Sequence, residues 1–261
     1  MVNAKNLQTY ESRGIVQYYA QLQELQAAEA AILAQLNPQL PTMSMLDMGV
    51  GGGRTTLHFA KQVANYIGID YSANMIQACQ QRFADAMAPD AFTVCDARDM
   101  SCFADNTFDF ILFSFNGIDY IEHCDRIQVL QEIQRVGKPG GYFCFSTHNL
   151  QGMEQLFDWR SHLSYNPIRT YIDLFMWAFL RGFNRSCSLK QLHSSVYAMI
   201  RDEPHNFRLR TYHIRPQAQL EQLASGFTDI KVYSWQDGTE INPSELPSIV
   251  EMWLYYLCVI Q

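Results

Sequence analysis

The residues best suited to chemistry stand in the run Asp47-Met48-Gly49-Val50-Gly51-Gly52-Gly53, where an acidic residue and a cluster of glycines close a short apolar stretch. Glycine adopts positive φ in tight turns, and without a Cβ it lets backbone N–H groups and the next helix N-terminus approach a polar ligand. Asp70 follows about twenty residues later, where a carboxylate at a strand end can accept two hydrogen bonds from a ribose diol. Asp96 ends a third apolar run in the same way. Side by side at the carboxyl ends of neighbouring strands, these groups would line the crevice in which open α/β sheets bind ligands. The Asp47 carboxylate suits a cationic ligand group such as an amino-acid ammonium, or is spent on the turn itself. A dinucleotide is disfavoured, because the third position of a G-x-G-x-x-G pattern counted from Gly49 falls on Arg54, whose bulk would obstruct close helix–strand packing.

Positioning such groups needs strands that alternate with helices, and the chain has that rhythm. Tyr19, Leu22, Leu25, Ala28, Ile32 and Leu36 recur at helical spacing and predict one amphipathic helix over 17–36, ended near Pro38 and Pro41. A strand at 44–48, the glycine turn and a helix over 54–64 follow. Further strands are expected at 66–69, 92–95, 108–115 and 142–146, with helices over 75–83 and 127–136. This order implies a Rossmann-like, mostly parallel sheet of seven strands with helices on both faces, its last strand antiparallel. Residues 151–215 interrupt the rhythm with an apolar helix over 168–180 ended by Gly182. Two alternating segments follow, 194–200 and 207–214, around Asp202-Glu203-Pro204. They read as a helical and hairpin cap insertion over the active face. A helix from Pro216 to Gly226 and strands at 229–235 and 253–259 complete the sheet. The organisation is thus an N-terminal helical segment (1–40), a ligand-binding core (41–150), a cap insertion (151–215) and a C-terminal closing unit (216–261).

With 261 residues, 48% hydrophobic and 13% aromatic against 17% charged, the chain has the composition of a folded domain rather than a disordered one. Its net charge of -7 repels phosphate backbones and argues against general nucleic-acid binding. No run approaches the ~20 apolar residues of a membrane span, and 1–11 lacks a signal-peptide core, so a cytoplasmic protein with no membrane partner is expected. Seven cysteines without a C-x-x-C pair fit reduced thiols.

The ordered motifs resemble those of the class I S-adenosylmethionine-dependent methyltransferases, especially the small-molecule group often called type 11. The matching residues are Asp47 to Gly53, Gly68-Ile69-Asp70-Tyr71-Ser72 with Met75, Cys95-Asp96-Ala97, and Arg135-Val136-Gly137-Lys138-Pro139-Gly140-Gly141. The resemblance implies S-adenosyl-L-methionine as cofactor and S-adenosyl-L-homocysteine as product. The backbone around Gly49 and Gly51 would hold the methionine part and Asp70 the ribose hydroxyls. Asp96 would accept from the adenine amine while the Ala97 N–H meets the ring, and Ser114-Phe115-Asn116 would pass beside the sulfonium. Asp47, Val50, Gly53, Tyr71 and Met75 complete the implied cofactor-binding set. Family members usually carry Leu where Gly137 stands.

Transfer from a sulfonium needs chiefly alignment of the acceptor. A neutral amine would require no base, whereas a hydroxyl would profit from a positioned His or carboxylate. Asp119, Tyr120, His123, His148 and Asn149 follow the fourth and fifth strands, and Tyr120, His123 and His148 are the candidate catalytic residues. No carboxylate cluster stands ready for a metal, and neither an Asn/Asp-Pro-Pro-Tyr/Phe motif nor a Pro-Cys nucleophile points to nucleic acid. Within 151–215, nine Lys and Arg against five Asp and Glu give a local balance of +4, which would attract an anionic group on a small metabolite. Ile168, Tyr171, Ile172, Phe175, Met176 and Phe179 form a stripe expected to close the acceptor side. The expected activity is methyl transfer to nitrogen or oxygen of a small molecule. The alternatives are a non-catalytic adenosyl-ligand-binding protein and an NAD-dependent oxidoreductase.

Overall fold

Residues 4–202 and 207–261 are described by the structure, a computed structural model. The chain opens with helices α1 (Ala4–Tyr10), α2 (Arg13–Gln21) and α3 (Ala27–Leu36), then alternates β1 (Ser44–Met48), α4 (Thr56–Phe59), β2 (Asn65–Asp70), α5 (Ala73–Arg82), β3 (Phe92–Val94) and β4 (Phe108–Phe113). There follow α6 (His123–Val136) and β5 (Gly137–Asn149), and then an insertion of α7 (Leu150–Phe157), α8 (Pro167–Phe183), α9 (Leu189–Ser194), β6 (Tyr197–Ile200) and β7 (Thr211–Ile214). The closing elements are α10 (Pro216–Leu223), β8 (Phe227–Ser234) and β9 (Trp253–Ile260).

Parallel ladders join β3 to β2, β2 to β1, β1 to β4 and β4 to β5, while β9 runs antiparallel between β5 and β8. The sheet is therefore β3-β2-β1-β4-β5-β9-β8, with the expected antiparallel last strand. The β6–β7 hairpin is added at the tip of β5, where His148 and Asn149 pair with His213 and Ile214. Near-continuous apolar runs such as Phe108–Phe113 suit strands covered on both faces. Alternate residues supply two cores: Ile111 and Phe113 pack on one side of the sheet with Phe143 and Ile133, and Phe110 and Leu112 pack on the other with Ile32 and Phe59. Leu150, Met153, Phe157, Leu180 and Ile200 form a separate core inside the insertion.

Several boundaries differ from the periodic pattern. The helix expected over 17–36 is two helices, α2 and α3, split by extended residues. The carbonyls freed there are taken by side chains: Arg82 donates to Leu22, Arg54 donates to Glu24, and His58 bonds Gln23. The helix over 54–64 shrinks to one turn, α4. β4 ends at Phe113 rather than 115, because Phe115 and Asn116 both turn left-handed (φ 55° and 58°). Gly182 lies inside α8, which runs on to Phe183. The turn at Glu203-Pro204 falls outside the described residues.

Candidate active site

The crevice lies beyond the carboxyl ends of β1, β2 and β4, at the switch in strand order. Gly49 and Gly51 both take positive φ (63° and 54°), a conformation that turns the chain sharply and aims the Gly51 N–H at Asp70 Oδ2 (3.0 Å). Gly52 serves close approach, since a Cβ there would lie 2.3 Å from the Ala20 backbone nitrogen of α2. Gly53 faces elsewhere: its missing Cβ would meet Phe83 at 2.4 Å, and it does not line the crevice. It is a packing glycine for α5, not a wall of the site.

The three acidic residues have separate surroundings. Asp47 is buried under the turn, and its Oδ2 accepts from Thr55 Oγ1 (2.5 Å) and Tyr66 Oη (2.7 Å). That carboxylate oxygen is spent on local structure, the second of the two uses open to it, and burial pushes the carboxyl up to about 6. Asp70 is held by the backbone N–H groups of Gly51 and Ser72 (3.0 and 2.9 Å), while burial pushes it too up to about 6. Asp96 lies two residues past β3 and is gripped by Arg98, whose Nη2 meets Oδ2 at 2.6 Å. Burial opposes ionisation there, but the Arg98 contacts outweigh it and hold Asp96 below its usual range.

The cover of the crevice comes from elements whose role the sequence pattern did not reveal. Asn6 and Tyr10 of α1 and Tyr19 of α2 line it, with Tyr10 edge-on to Tyr71 (6.0 Å) and Tyr120 (5.6 Å). The Tyr71 hydroxyl is buried there without a partner. Below them Arg54 makes a two-pronged ion pair with Glu29 of α3 (2.5 and 2.6 Å), and Ser114, Tyr255 and the Gln26 N–H donate to the same carboxylate. Burial would raise the Glu29 pKa, but Arg54 outweighs it and holds the group lowered. Arg54 thus joins α3 to the crevice and lies 4.9 Å over the Phe115 ring. A charged residue opposite an unknown partner 25 positions away leaves no local signal; the one available was a lone Glu amid Ala and Leu in α3.

The acceptor side begins at the left-handed Phe115-Asn116 pair, a conformation that bulky residues rarely hold without a functional reason. Val50, Met75, Ala97, Ser114, Phe115 and Tyr120 all line the crevice, whereas Asn116 turns behind it. The Asn116 N–H donates to Ser146 Oγ, and its Nδ2 meets His148 Nε2 at 3.4 Å. His148 is buried at the end of β5 behind Asn116 and, like His123, does not line the crevice; its Nδ1 donates to Asp119 Oδ2 (2.7 Å). The other Asp119 oxygen accepts from Arg126 (2.8 Å) and Thr147 (2.6 Å). Burial alone lowers the His148 pKa, but Asp119 outweighs it and raises the ring above the usual histidine range. His213 of the hairpin packs 4.8 Å from the His148 ring and is kept neutral by burial. His123 is elsewhere, stacked 4.2 Å from Tyr197 with Nδ1 bonded to Tyr212, and lines no part of the crevice. Asn149 caps α7 and bonds Ile249. No described residue of 151–215 lines the crevice, and the α8 stripe expected to close it is, Met176 apart, turned to solvent.

A Rossmann-like sheet with a glycine turn and a strand-end carboxylate at the switch point defines an open α/β protein with its crevice at the carboxyl ends of the strands. Residues 45–141 match the family model of the methyltransferase domain. The chain is 27% identical over 238 residues, 89% of its length, to a biotin biosynthesis bifunctional protein of Cellvibrio japonicus, of which the match covers 45%. It shares its fold with a crystal structure of an S-adenosylmethionine-dependent methyltransferase from Mesorhizobium loti (TM-score 0.57, 16% identity, 89% of this chain and 99% of that one). The same holds for a Burkholderia thailandensis N1-methyltransferase solved with 1,6-didemethyltoxoflavin and S-adenosylhomocysteine (TM-score 0.51, 14% identity, 90% and 76%). Over residues 45–141 the chain thus resembles a methyltransferase domain, and its fold is shared with S-adenosylmethionine-dependent methyltransferases. It spans about half the length of the curated relatives it matches.

Proposed function

We propose that this protein transfers a methyl group from S-adenosylmethionine to a hydroxyl of a small molecule. The observation that carries the reading is the Asp70 carboxylate, oriented by the Gly51 and Ser72 N–H groups inside a crevice lined by Ala97 and Met75. A carboxylate so fixed suits a ribose diol. The unpartnered Tyr71 hydroxyl supplies a further polar group for the ligand. When bound, the cofactor supplies a methyl group on a sulfonium, which is displaced in line by the acceptor.

The chain's own residues account for alignment, exclusion of water and proton removal. Tyr10, Tyr19, Tyr120 and Phe115 line the crevice with rings that would keep solvent from a bound ligand. His148 is the base in this reading: it stands behind the crevice wall with Nδ1–H held by Asp119, and its Nε2, now facing Asn116, would take the proton of an acceptor hydroxyl once the Asn116 side chain moves aside. A base at this position favours oxygen over nitrogen, since a neutral amine needs none. The two cations among the described lining residues, Arg54 and Arg98, are already ion-paired, which favours a neutral acceptor over an anionic one. The Burkholderia neighbour, solved with a small heterocycle, supports a small-molecule acceptor. The insertion approaches this side only through the β6–β7 pair, whose His213 packs on His148 behind the crevice.

Incubation with methyl-labelled S-adenosylmethionine and a panel of hydroxylated and aminated metabolites tests the proposal. Label should pass to a hydroxylated acceptor. Transfer to amines alone would refute the role of His148, and cofactor binding without transfer to any acceptor would support the non-catalytic alternative.

A further inference from the structure

α8 is an amphipathic helix whose apolar side faces away from the protein. Met176 and Leu180 pack into the insertion's own core and Trp177 donates to the Phe157 carbonyl (3.0 Å), so the inner side is anchored. On the opposite side Ile168, Tyr171, Ile172, Phe175 and Phe179 recur at helical spacing and stand in solvent, Ile168 and Tyr171 at 71% and 72% exposure, and the half-exposed Phe183 ends the strip with its inner face stacked on Phe207. Trp159, Leu163 and the fully exposed Tyr165 extend the strip from the preceding segment. A helix of 17 residues makes the strip about 26 Å long, and a surface of that kind marks an interaction site.

Charge selects the occupant. Between 158 and 190 the cations Arg160, Arg169, Arg181, Arg185 and Lys190 outnumber two anions, Asp158 and Asp173, a balance of +3 in a chain whose remainder carries -10. Arg160, Arg169, Arg185 and Lys190 are exposed, and the carboxylates nearest Arg160 and Arg169, Asp158 and Asp173, stand at the loose distances of 3.9 and 3.6 Å. A symmetric contact with a second copy would set these cations against their own images, which costs affinity. An anionic lipid surface instead attracts the patch and repels the rest of the molecule, leaving one orientation. Aromatic and aliphatic side chains in the acyl boundary with arginines at the headgroups is the pattern of a helix lying in a membrane interface.

We propose that the 159–190 segment docks this protein on anionic bilayer surfaces, with α8 lying in the interface. The lack of a spanning helix among the described residues does not bear on this, because the helix lies on the membrane and does not cross it. The test is co-sedimentation of the full chain with phosphatidylcholine vesicles, with and without phosphatidylglycerol. Binding should require phosphatidylglycerol and be lost in high salt. Tyr171→Ser with Phe175→Ser, and separately Arg160→Gln with Arg169→Gln, should each weaken it by roughly ten-fold or more. All four residues are exposed, so melting temperature and S-adenosylhomocysteine affinity should stay at the parent value. The proposal is overturned if the parent remains in the supernatant with phosphatidylglycerol vesicles, or if both double variants bind as well as the parent. It is equally overturned if sedimentation velocity shows a parent dimer that Tyr171→Ser with Phe175→Ser dissolves while vesicles go unbound.

Discussion

Tyr10, Tyr19, Tyr71 and Tyr120 gather over the glycine turn, whereas Tyr165, Tyr171, Phe175 and Phe179 of the insertion lie in solvent. Both regions are rich in aromatic residues; they differ in what lies beneath. The crevice rests on β1, β2 and β4, and its cover is tied down by the Glu29–Arg54 pair. α8 touches mainly α7 and the 159–162 turn, and apart from Phe183, which stacks on Phe207, its second side stands exposed among the described residues. The difference teaches that an aromatic stripe reports a surface to be covered and leaves open whether the chain itself or another body covers it.

The sharpest way to break this contrast is to remove groups from the covered region. His148→Ala should lower kcat by about 10²- to 10⁴-fold, the range for a general base, with cofactor affinity unchanged; a steady-state assay with an accepted hydroxyl substrate measures it. Activity of the parent should fall as pH drops below the raised His148 pKa, and a parent-like rate in the variant would remove His148 from the chemistry. Glu29→Ala should destabilise the fold by about 3–5 kcal/mol in chemical denaturation, because it leaves Arg54 buried without its partner. The sign of the pH effect follows from the lowered Glu29 pKa: its contribution is present above the unfolded value near 4.5 and disappears as pH falls through the folded one.

A smaller effect concerns Asp70. Its free-state pKa is raised to about 6, so protonation stabilises the unliganded fold, a contribution complete below the unfolded value of about 3.9 and lost as pH rises through 6. A ribose diol prefers the ionised form, so affinity for S-adenosylhomocysteine should decline as pH is lowered from 7 to 5, by up to about ten-fold per pH unit. Calorimetric titrations across that range should show the decline in the parent and a flat profile in Asp70→Asn.

Much of the fold was legible because its signals are local. Apolar runs closed by glycine or aspartate mark β1, β2 and β4, and Lys138-Pro139-Gly140-Gly141 marks the approach to the buried part of β5. Asp70 and the turn at Gly49 and Gly51 were legible for the same reason. What escaped depends on distance in the chain. The apolar pattern runs unbroken from Tyr19 to Ala28, and only Arg54, His58 and Arg82, folded back from later segments, reveal why the helix stops at Gln21. Arg54 read as an obstruction and proved to be half of the pair beneath the site. Asn116 and Gly53 sit inside matching motifs, yet one left-handed turn and one packed ring direct them away from the crevice. For α8 the spacing tells which residues share a side and cannot tell which way that side points.

The most direct test of the account is calorimetric titration of the parent and Asp70→Ala with S-adenosylhomocysteine and with NADH. The account predicts one S-adenosylhomocysteine site in the parent, weakened in Asp70→Ala by about 1.5–3 kcal/mol, which is ten-fold or more, and no comparable NADH binding to either protein. Unchanged S-adenosylhomocysteine affinity in a folded Asp70→Ala variant, or tighter binding of NADH than of S-adenosylhomocysteine, would contradict it.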